Sequence, residues 1–66
     1  MKRIVRFTNK ETGISKEMLS NAVGRFVFDI TKDVDKMNSC VRWCADRQVG
    51  DKLDNELFSI EVINIY

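Results

Sequence analysis

The chain contains no histidine and no proline, and among its 66 residues only two are cysteine, three glycine and one tryptophan. Without histidine, the Ser–His and Cys–His pairs that activate a hydroxyl or thiol nucleophile are excluded. Two cysteines fall short of the four ligands of a structural zinc site. Gly13, Gly24 and Gly50 stand too far apart to form a glycine-rich phosphate loop. Asp33 and Asp35 are neighbours in sequence, yet on a helix they point about 200° apart and do not converge. No apolar run approaches the roughly 20 residues of a membrane span. The charged N-terminus has no apolar segment behind it, so no signal peptide is expected. These absences argue against an enzyme, a cofactor, a metal site and a membrane partner. Two unremarkable cysteines fit a reducing, cytoplasmic setting.

Size and charge narrow the classes further. A chain this short forms one domain, spanning 1–66, and buries only about 60% of its unfolded surface. Domains of this size draw extra stability from disulfides, metals or association. With the first two poorly supplied, a homodimer or a protein partner is the expected source. The formal net charge is +1, without the basic excess of a dedicated nucleic-acid binder. The distribution is less even. Lys2, Arg3, Arg6, Lys10 and Lys16 make the first third basic, while Asp29, Asp33, Asp35, Asp51, Asp54 and Glu56 weight the later part toward acid.

Hydrophobic periodicity gives the elements. Lys2 to Thr8, KRIVRFT, alternates as a strand, with Val5 and Phe7 on one face and Ile4 and Arg6 on the other. A polar loop, Lys10 to Gly13, closes on a glycine suited to a hairpin bulge. Ile14 to Leu19 is then the returning strand, with Arg6 facing Glu17 and Val5 facing Met18. A helical reading competes here: Met18, Leu19, Ala22, Val23 and Phe26 fit its spacing, with Ser15 as cap. The hairpin is favoured because Gly13 sits well for it and SNAVG reads as a break. Arg25 to Ile30, RFVFDI, alternates as a third strand.

Thr31 is the expected N-cap of the main helix, with Asp33 and Asp35 in its first turn. The helix runs from Lys32 to Val49, with Val34, Met37, Val41 and Cys44 on one face, and Gly50 ends it. DKLDNE, Asp51 to Glu56, reads as a polar turn. Leu57 to Tyr66 is the last strand. Phe58, Ile60, Val62 and Tyr66 line one face, and Leu57, Ile63 and Ile65 the other. The fold class is α+β: a small antiparallel sheet with one main helix on a single face, in the order β-β-β-α-β. The uncovered face would present Ile4, Ile63 and Ile65.

One helical stretch, SCVRWCADR from Ser39 to Arg47, holds the densest chemistry. Cys40 and Cys44, four apart, lie near one helix face and read as small apolar residues under the sheet. Trp43 falls at the edge of the apolar stripe, with Lys36, Cys40 and Arg47 as helical neighbours. Its ring either folds over the sheet's rim and finishes the core, or stands exposed among cations with the composition of an interface hot spot. Lys36, Arg42, Trp43 and Arg47 are therefore the candidate partner-binding residues. The alternative site is nucleic-acid-binding: Lys2, Arg3, Arg6 and Lys16 on phosphates, with Phe7 as a stacking surface.

The leading expectation is a small non-catalytic protein-binding module, an inhibitor or modulator that occludes its partner through a helix face or a sheet edge. Leu57 to Tyr66, long enough to sit at an edge, is the strand expected to add to a partner. In size and simplicity the chain is similar to short accessory proteins, often virus-encoded, that bind and block one host protein. The alternatives are a small nucleic-acid binder using the basic N-terminal strand, and a self-assembling structural subunit.

Overall fold

The computed structural model describes residues 1–66. The order is β1 (Arg3–Asn9), β2 (Ser15–Leu19), a 3-10 turn (Ser20–Ala22), α1 (Val23–Thr31), α2 (Val34–Ala45), β3 (Lys52–Asp54) and β4 (Phe58–Ile65). The strands form one antiparallel sheet in the order β2-β1-β4-β3. The fold is α+β, with two helices against one sheet, and the element order is β-β-α-α-β-β.

The first hairpin follows from its sequence. Gly13 takes φ +76, a backbone region that residues with a Cβ rarely adopt. Asn9 Oδ1 accepts the Glu11 amide at 2.9 Å and fixes the start of the turn. The register pairs Arg6 with Glu17 and Val5 with Met18, as a loop from Lys10 to Gly13 predicts.

Arg25 to Ile30 is a helix and not a third strand. Val23, Gly24 and Val27 of α1 are buried, and Phe26 and Ile30 pack against the core. Arg25 and Asp29 stay exposed. Six residues alone satisfy either period; Val23, one turn earlier, completes the helical face. Gly24 is no break. A Cβ there would stand 2.9 Å from Val41 Cγ2 and 3.0 Å from Met37 Cγ, so glycine is what lets α1 and α2 approach.

Thr31 closes α1 and does not open α2. Its Oγ1 donates to the Val27 carbonyl at 2.9 Å, and Lys32 turns left-handed at φ 54. Asp33 is the cap of α2: its Oδ1 accepts the amides of Asp35 at 2.9 Å and Lys36 at 3.2 Å. Asp35 lies in the first turn, where the helix dipole favours acid. The helix stops at Ala45, before Gly50, and Val34 at its start is exposed.

The segment read as a polar turn contains β3, with Leu53 opposite Ile60. Just before it, Gly50 donates its amide to the Val62 carbonyl at 2.8 Å, and Val62 donates to Asp51 at 3.0 Å. In β4 a bulge shifts the register: Val5 pairs with Val62, but Ile4 pairs with Asn64. The extra residue, Ile63, turns Ile65 toward the helix-covered face, where it packs against the core. Ile65 was expected on the uncovered face.

The core lies between the sheet and the helices. Val5, Phe7, Phe58, Ile60 and Val62 come from β1 and β4; Val23, Val27, Cys40 and Cys44 come from the helices. Phe7 stacks on Phe58 with ring centroids 5.5 Å apart and tilts against Phe26 at 5.8 Å.

Candidate functional site

On α2, Lys36, Cys40, Trp43 and Arg47 fall on one line at helical spacing, and Arg42 turns away from it. Trp43 is half-buried and packs against the core. The Arg47 guanidinium lies 5.2 Å from its ring centroid. Arg47 Nε donates to the Trp43 carbonyl at 3.1 Å, and the Arg47 carbonyl accepts Arg3 Nε at 2.8 Å. The Trp43 ring is thus held between the core and one cation, and Arg47 joins the end of α2 to the start of β1. Lys36 stands apart from that cluster. With Cys40, Leu53, Leu57 and Phe58 it lines a groove of about 390 Å³ between α2 and the β3–β4 hairpin.

The two thiols belong to the interior. Burial pushes the Cys40 thiol up, with Lys36 pulling the other way. Burial, helped by Cys40 and opposed by Arg47, pushes Cys44 up to about 11. Both thiols are therefore protonated at neutral pH, and the thiolate is the form that attacks or ligates. No group of three or more His, Cys, Asp or Glu side chains converges to hold a metal ion. No helix is long and apolar enough to cross a membrane.

The four residues of the basic alternative do not converge. Lys2 and Arg3 stand at the start of β1. Arg6 lies on the uncovered face of the sheet, 3.2 Å from Glu17 and 3.7 Å from Glu61. Lys16 lies on the other face, its Nζ 5.7 Å from the centre of the Phe26 ring. Phe7 is buried and has no ring face to offer a base.

The uncovered face is more polar than expected. Ile4 and Ile63 are half-buried there, joined by Leu19 at 38% exposure, and Ile65 is absent from it. A charged row crosses it instead: Lys52 pairs in register with Glu61, Glu61 with Arg6, and Arg6 with Glu17. Beside that row Thr8 and Ser15 share a hydrogen bond of 2.8 Å between their hydroxyls.

The edges differ sharply. β4 is interior, bonded to β1 on one side and β3 on the other, so it is not the open strand that its length suggested. At its end, past β3, Asn64 Oδ1 accepts the Ile65 amide at 3.0 Å and occupies that donor. The β3 edge is three residues long and two of them, Lys52 and Asp54, are charged. Asp54 is tied to Lys10, whose hydrogen bond holds its carboxyl below the ordinary value. Short, charged edges resist pairing.

β2 also carries two charges, Lys16 and Glu17, but at five residues it is the longer of the two edges. The Asn9 amide donates to the Ile14 carbonyl at 2.9 Å, which makes that pair a hydrogen-bonded one. Bonded and non-bonded pairs alternate along an antiparallel ladder. Lys16 and Met18 therefore turn their backbone groups toward β1, and Ser15 and Glu17 turn theirs outward. Every residue of β2 except Met18 is exposed. Next to this edge, Ile14 just before β2, Lys16 of β2, Phe7 of β1, and Phe26 and Ile30 of α1 line a groove of about 230 Å³. Ile14 is 59% exposed at its mouth.

The sequence pattern locates β2 but not its place at the edge of the sheet. A third strand at Arg25 to Ile30 would have offered β2 a neighbour on that side. Val23, at the right spacing to make that segment helical, was the signal that exposes the edge. No protein-family model, curated protein or solved structure matches the chain.

Proposed function

We propose that this chain is a non-catalytic protein-binding module that takes an extended segment of its partner along β2, and modulates or blocks the partner by occupying that segment. The observation that carries the reading is the outward row of unpaired backbone groups at Ser15 and Glu17, on the longer of the sheet's two edges. In strand addition, main-chain hydrogen bonds supply affinity and pockets for alternate side chains supply specificity. The groove between β2 and α1 offers such a pocket on the helix side. Both thiols are buried and protonated, which favours binding over thiol chemistry.

Proline at Glu17 tests the reading. The Glu17 amide points outward, so proline removes a donor needed by an added strand and none needed by β1. The wild-type and Glu17→Pro chains, used as paired baits, should differ in the captured protein while sharing the same circular dichroism. In the captured complex the Ser15 and Glu17 amides should become slow to exchange. Equal capture by both baits, or fast exchange at both amides in the complex, would overturn the proposal.

A further inference from the structure

We infer that the segment added at β2 carries a lysine or arginine opposite Glu17, with an apolar residue next to it, and is not a second copy of this chain; this rests on the strand-addition reading above. The uncovered face holds one cross-strand row, Lys52, Glu61, Arg6, Glu17, running through β3, β4, β1 and β2. Its charges alternate in sign at every step. Glu17 is the last member. It meets Arg6 on one side, and on the other it meets only the space that a fifth strand would fill. Opposite charges directly across a strand pair are favourable and like charges are not. A cation in that register continues the alternation.

The residues flanking that cation point to the opposite face of the added strand. There one of them lies beside Lys16, over the groove that Phe26 and Ile30 line, and an apolar side chain fits that lining. Two copies of β2 fit each other poorly. An antiparallel pairing that keeps the helices of both copies on one side of a continuous sheet must centre on a residue. Centring on Glu17 gives the fullest overlap and sets Glu17 against Glu17. Centring on Lys16 sets Lys16 against Lys16. These registers place like charges in direct opposition, and the shorter one centred on Met18 sets Glu17 against Leu19 and leaves it without a cation.

The test is a phage-displayed library of random nine-residue peptides, selected separately on the intact chain and on its Glu17→Lys variant, with synthetic peptides then measured by fluorescence anisotropy. The wild type should select lysine or arginine at one fixed position with an apolar neighbour, and alanine at that position should weaken binding about two- to five-fold. The Glu17→Lys variant should prefer a carboxylate there, and Glu17→Pro should bind none of the peptides. If Glu17→Pro fails to fold, Ser15→Pro blocks the other outward amide and serves in its place. Peptides that the proline variant rejects but that show no charge preference would overturn this inference and leave strand addition standing. Peptides that bind the proline variant as well as the wild type, or a library that yields no binder, would overturn both. A dimer seen by sedimentation and abolished by the proline would overturn the exclusion of a second copy.

Discussion

The Arg6 guanidinium lies 3.2 Å from the Glu17 carboxylate, linking β1 to the free edge of the sheet. Both side chains are about half exposed, so solvent screens the pair strongly. Exposed ion pairs contribute about 0–1 kcal/mol. Arg6→Ala should therefore keep the fold and lower stability in urea by no more than about 1 kcal/mol, with the difference shrinking in high salt. A loss of several kcal/mol would mean that the charged row holds the sheet together and does not merely decorate it.

Gly24 governs how closely the two helices pack. In a helix interior alanine is favoured over glycine by about 1 kcal/mol. Here the added methyl would stand 2.9 Å from the Val41 side chain, and β-branched Val41 has little rotamer freedom to yield. Overpacking typically costs about 1–3 kcal/mol. Gly24→Ala should therefore be destabilising in urea, and Val41→Ala in the same chain should recover part of the loss. A more stable Gly24→Ala protein would contradict the close approach of α1 and α2.

Asp33 caps α2, and Thr31 does not. Asp33→Ala should cost about 0.5–2 kcal/mol in chemical denaturation, the usual range for a lost N-cap. Thr31→Ala removes a bond to the Val27 carbonyl in the last turn of α1 and a 3.2 Å bond from the Asp33 amide, but no bond of the α2 cap itself. The two variants should differ in how far they raise amide exchange in the first turn of α2. Equal effects there would restore Thr31 as the helix start.

The Cys44 thiol sets a limit at alkaline pH. Its value in the folded chain is about 11, against 9.0 for the free group. Between these values the unfolded chain releases this proton and the folded chain keeps it. The unfolded state then binds fewer protons, so stability falls as pH rises from about 9 to about 11. The loss from this group is on the order of 2–3 kcal/mol, and Cys40 acts in the same direction. Urea midpoints across that range should fall for the wild type and flatten in Cys44→Ala. A flat wild-type profile would show a thiol that is not buried as described.

Local pattern made the hairpin legible in the sequence. β-branched and aromatic residues interleaved with Arg and Lys from Lys2 to Thr8, a glycine suited to positive φ, and opposite charges at Arg6 and Glu17 all pointed to one register. The final strand was legible for the same reason, except that nothing in its alternation predicts the bulge at Ile63 that carries Ile65 to the core side. Arg25 to Ile30 was ambiguous because six residues hold too little of either period, and tertiary packing through Gly24 decides the outcome. β3 was hidden because three residues carry almost no pattern of their own; it is a strand because β4 offers it a ladder. The residues singled out on α2 are placed by helical spacing alone, and that spacing does line up Lys36, Trp43 and Arg47. Spacing also sets Trp43 at the edge of the apolar stripe, and its ring does lean on the core. The free edge depends on which strand has no neighbour, a property of topology that no local window contains.

Strand addition at β2 requires that Ser15 and Glu17 turn their backbone groups to open solvent. Residue-resolved amide hydrogen exchange on the free chain tests it most directly. Ser15 and Glu17 should exchange fast while Lys16 and Met18, bonded to β1, exchange slowly. Protection of Ser15 and Glu17 comparable to that of their neighbours would contradict the claim, because the edge would then already be paired.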